Sequence, residues 1–64
     1  MTTVLIYFKN NTDPISFQAN GSVSQVSNEI IRLMRANEFF PYQTENGTVI
    51  LQSSELAGLY FEKD

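Results

Sequence analysis

Cysteine, histidine and tryptophan are all missing from these 64 residues, and each gap closes off chemistry. Without cysteine there is no disulfide staple and no thiol nucleophile. Without histidine there is no imidazole base and no serine–histidine triad. With both gone, a structural zinc site loses its usual ligands, so neither a metal nor a cofactor is expected. Basic residues are scarce as well: four Lys and Arg stand against seven Asp and Glu, for a formal net charge of −3. Phosphate backbones and anionic membranes are bound through Lys and Arg, so both are disfavoured as partners. No apolar run nears the ~18 residues that mark a membrane span. The run Val4 to Phe8 follows no basic segment and is too short for a signal peptide. With no disulfides, a cytoplasmic location is expected.

Glycine-rich phosphate loops and EF-hand loops are also absent from the sequence. Carboxylates remain as candidate acids and bases: Asp13, Glu29, Glu38, Glu45, Glu55, Glu62 and Asp64. They fall at turns, element ends or exposed faces, where ordinary titration is expected, and no catalytic residue stands out. An enzyme is not expected.

What is present fits one domain over residues 1–64. A chain of this size buries only about 60% of its unfolded surface, and such cores rarely supply more than roughly 3–5 kcal/mol. With disulfides and zinc excluded, the remaining staple is a partner subunit, with a second copy of the chain the leading candidate.

The hydrophobic period changes along the chain and sets the architecture. Thr2 to Lys9 alternates, with Val4, Ile6 and Phe8 on one face and Leu5 and Tyr7 on the other. Asn10 to Pro14 is a polar turn, and Ile15, Phe17 and Ala19 continue as a second strand of a hairpin. Ser22 and Gln25 fit a capping box. Beyond it Val23, Val26, Ile30, Leu33 and Met34 form one helical stripe, with Asn37 as terminator. Phe39–Thr44 and Thr48–Ser53 flank Asn46-Gly47, which predicts a type I′ hairpin pairing Tyr42 with Leu51. Residues 53–58 read as a tight connection and Leu59–Lys63 as a last strand. The expected fold is α+β: a small, mostly antiparallel sheet in the order β-β-α-β-β-β with one helix packed on one face.

That arrangement leaves Leu5, Tyr7, Phe39, Ile50 and Tyr60 on the outer face of the sheet. Five large apolar side chains there make the main candidate interaction surface, and tyrosine suits half-wet contacts. Arg32 and Arg35, on the outer side of the helix, are a secondary candidate for an acidic partner. Ile31 lies at the margin of the helical stripe, either a wide edge of the core or part of a contact. The expected function is a small binding or regulatory protein whose partner is a protein, first of all itself, as a homodimer or larger. The alternative is a single-strand nucleic-acid or small-ligand binder that stacks bases on the surface aromatics.

The segments VLIYFKNN, PISF and NGTVILQSSELAGLYFEKD give the chain a further likeness. It resembles short uncharacterised proteins of low-GC Gram-positive bacteria and their phages, which pair a hairpin, a helix and a closing meander. The resemblance implies a small accessory protein that acts by binding, on a host enzyme or regulator.

Overall fold

The computed structural model describes all 64 residues. Strand β1 (Thr2–Phe8) is followed by β2 (Ile15–Ala19), helix α1 (Val23–Ala36), β3 (Phe39–Thr44) and β4 (Gly47–Gln52). A single 3-10 turn (Ser53–Glu55) then leads into β5 (Leu56–Lys63). All strand pairs are antiparallel, and the α+β architecture is the one the hydrophobic periods predict. The strands divide into two sheets, one ordered β2-β1-β5 and the other the hairpin β3-β4. Pro41 lies in the middle of β3 and has no N–H to give to a further strand. The hairpin is tied to β2 by one backbone bond, from Glu45 N to Gln18 O at 3.0 Å.

The helix starts where its side chains satisfy the free backbone donors. Gln25 N donates to Ser22 Oγ at 3.2 Å, and Ser22 N donates to Gln25 Oε1 at 2.9 Å. Both halves of the capping box are therefore formed. Gly21, just before it, holds φ at +121°, a conformation that side chains rarely adopt. At the other end Asn37 takes an extended conformation, and both its N–H and its Nδ2 donate to Leu33 O.

The β3–β4 hairpin turns one step earlier than Asn46-Gly47 predicts. Thr44 pairs with Gly47 and Tyr42 with Val49, so the loop is Glu45-Asn46. No residue other than glycine has positive φ, whereas a type I′ turn needs it at both central positions. Gly47 takes the unusual backbone instead, at φ +154°. The Thr44 hydroxyl holds the loop, donating to Gly47 O at 2.8 Å and accepting from Asn46 N at 3.2 Å. The register differs from expectation by two residues, and an even slip keeps every side chain on its face.

The core contains nearly all the residues that periodicity selects; Val23, in the first turn of the helix, is the member of the stripe left outside it. Val4, Ile6, Val26, Ile30, Phe40, Tyr42 and Leu51 are buried together with Ala19. Phe8, Ile15, Phe17, Leu33, Met34, Val49, Leu59 and Phe61 pack around them. Leu56 joins them because β5 begins three residues before the predicted strand. Each large side chain contributes roughly 1.5–3 kcal/mol on full burial. The rings of Phe17 and Tyr42 lie 6.0 Å apart, tilted by 39°, and link β2 to the hairpin. Thr2 is also buried, and its hydroxyl donates to Gly21 O at 2.9 Å, joining the start of β1 to the approach to the helix. No helix is long and apolar enough to cross a membrane.

Candidate functional site

The five outer-face residues fall into two groups, one on each sheet. Leu5 and Tyr7 are successive outward positions of β1, and Tyr60 on β5 faces Leu5 directly. Gly58 faces Tyr7, so Tyr7 and Tyr60 are diagonal neighbours on one surface. Leu5 is half-buried because it sits on the central strand, between Ser16 on β2 and Tyr60 on β5. Tyr7 and Tyr60 are 40% and 50% exposed. Around them the face turns polar: Gln18 Nε2 donates to the Thr3 hydroxyl at 2.8 Å, which in turn donates to Asp64.

Phe39 and Ile50 meet on the outer face of the hairpin. Pro41 faces Ile50 across the two strands, and Phe39 is one diagonal step away. They are the most exposed large apolar residues of the protein, at 62% and 71%. Pro41 is exposed between them and completes the patch, a member that reading for large side chains alone had missed. Its signal is present in the sequence, since a proline within a strand pattern marks an edge.

Arg32 and Arg35 lie apart from both groups. With Asn28, Ile31 and Ala36 they border a shallow depression of about 440 Å³ along the helix. Ile31 is half-buried and also lines a groove between α1 and β5 with Met34, Leu56 and Leu59. It is not among the side chains packed against the core cluster and instead lines both depressions.

Two groups depart from ordinary titration, and one corrects the expectation that every acid is unperturbed. Glu38 is held below the usual carboxylate range, chiefly by a hydrogen bond from Ser54. Ser54 Oγ donates to Glu38 Oε2 at 2.6 Å, and Gln52 Nε2 donates to the same oxygen at 3.1 Å. Burial opposes these bonds, and the positive charge of Lys9 adds the smallest contribution to the lowering. The arrangement ties the end of α1 to the 3-10 turn, where Ser53 N also donates to Glu38 O at 2.7 Å. Tyr42 moves the other way: burial raises its pKa, and the negative charge of Glu29 adds to that.

No protein-family model matches the chain, and no curated protein matches it either.

Proposed function

We propose that this chain is a small non-enzymatic binding or regulatory protein that self-associates through an outer sheet face or a sheet edge. The observation that carries this reading is the pair of apolar patches, Leu5 with Tyr7 and Tyr60, and Phe39 with Pro41 and Ile50. They lie on a chain that buries only 9 of its 64 residues. A core that small has little margin, and covering either patch adds burial that the monomer lacks. An accessory role, of the kind encoded by phages and mobile elements of low-GC Gram-positive bacteria, fits a small chain whose exposed large apolar side chains gather in these patches.

Sedimentation equilibrium over a broad concentration range tests the proposal. A dimer or larger species is expected, and replacing Leu5 and Ile50 together by Lys should return it to monomer with an unchanged circular dichroism spectrum. A wild-type monomer at every concentration would overturn self-association. The neighbouring rings of Tyr7 and Tyr60 favour one competing reading, base stacking by a single-stranded oligonucleotide. Only Lys9 and Lys63 lie on nearby strand ends to supply charge, so tyrosine fluorescence is expected to stay constant when oligonucleotide is added at low salt.

A further inference from the structure

Resting on that self-association, we infer that two copies join through the free edge of β4, which pairs antiparallel with its own symmetry mate in a single register. Strand β4 is bonded to β3 alone. The direction of its free groups follows from Pro41. Lacking an N–H, Pro41 cannot exchange hydrogen bonds with Ile50, so that pair is a non-bonded one. Alternation then makes Phe40 with Leu51 and Tyr42 with Val49 the bonded pairs. The bond from Ser53 N to Glu38 O falls on the same alternation. The backbone N–H and C=O groups of Thr48, Ile50 and Gln52 therefore point away from β3.

The other edges carry the devices that discourage pairing. The free side of β3 is interrupted by Pro41 and approached by β2. The free side of β2 is already engaged by the hairpin, Gln18 O accepting from Glu45 N. Strand β5 carries Glu62 and Lys63, and its pairing shifts register beside Gly58. Strand β4 reads Gly-Thr-Val-Ile-Leu-Gln, with no charge, no proline and no bulge. It also presents the most exposed large apolar side chain in the protein, Ile50.

The occupant that fits is a second copy. Two acidic chains of net charge −3 repel, but the paired segment Gly47–Gln52 itself carries no charge, and Glu45 and Glu55 lie beyond its two ends. One register engages all three outward positions. It sets Ile50 opposite Ile50 of the second copy and Thr48 opposite Gln52, about a two-fold axis. On the inner face the same register places Val49 opposite Leu51. Every cross-strand pair is thus apolar with apolar or neutral polar with neutral polar. The product is a four-stranded sheet, β3-β4-β4-β3, whose outer face carries Phe39, Pro41 and Ile50 from both copies.

Amide hydrogen exchange of the native chain, measured above and below the dissociation midpoint found by sedimentation, tests the pairing. Exchange at Thr48, Ile50 and Gln52 is expected to be slow in the dimer and fast in the monomer. A second arm uses Ile50→Pro, which removes an outward donor but no bond to β3. That variant is expected to be monomeric with a native spectrum, whereas Leu5→Lys stays dimeric. A dimer whose three β4 amides exchange as fast as in the monomer, or an Ile50→Pro dimer as tight as wild type, overturns the edge and leaves self-association standing. A wild-type monomer overturns both. If Ile50→Pro fails to fold, the exchange measurement on the native chain decides.

Discussion

Glu38 shows how a fully exposed carboxylate acquires a structural role. Its oxygen accepts from Ser54 and Gln52, and both bonds favour the ionised form. Because the folded pKa lies below the unfolded one, the contribution is complete above the ordinary glutamate pKa and disappears as pH falls through the folded value. An NMR titration should therefore place the Glu38 midpoint below the ordinary glutamate value. Ser54→Ala should move it back up towards that value, since Ser54 is the largest cause. Salt should weaken the part due to Lys9, which acts through solvent.

At the scale of elements, the helix entrance is where local sequence and structure agree most closely. Ser22→Ala removes one half of the capping box and frees the Gln25 N–H. The expected loss is ~1 kcal/mol, read as a lower urea midpoint with an unchanged slope. Gly21 beside it tolerates no such change, because an added Cβ would meet Gln25 Oε1 at 3.2 Å on a backbone at φ +121°. Period and capping made α1, the strands and nearly the whole core legible, because each depends on neighbours within a few positions. The β3–β4 register was not legible from Asn46-Gly47. The deciding interaction is the Thr44 hydroxyl on both sides of the loop, which competes with the turn preference. The separation of the outer-face residues into two groups was equally hidden. Alternation assigns a side chain to a face, but it says nothing of which strands lie side by side. Ser53, Ser54 and Gln52 gather around the end of α1 only once the hairpin has folded back, so the lowered Glu38 also escaped a residue-by-residue reading.

The whole molecule has little stability in reserve. A core in a chain of 64 residues rarely supplies more than roughly 3–5 kcal/mol. Phe40 is 1% exposed and the bulkiest fully buried residue, in a cluster that draws on β1, β2, α1 and β4. Truncating it to Ala should cost ~3–5 kcal/mol, measured by chemical denaturation, and leave the isolated chain largely unfolded near body temperature. Joining to a second copy would offset such a loss in proportion to concentration, so the melting temperature of the variant should rise as protein is added.

The pairing of β1 with β5 bears on how the chain reaches this state. Thr2 lies opposite Lys63 and Val4 opposite Phe61, so the central strand of the three-stranded sheet waits for a partner some sixty positions away. In a nascent chain the β5 side of this central strand stays unpaired until β5 emerges. Closing so long a loop before its contacts form makes folding slow for a molecule of this size and nearly all-or-none. The interval before closure is when an uncharged strand such as β4 is most open to pairing with the wrong neighbour.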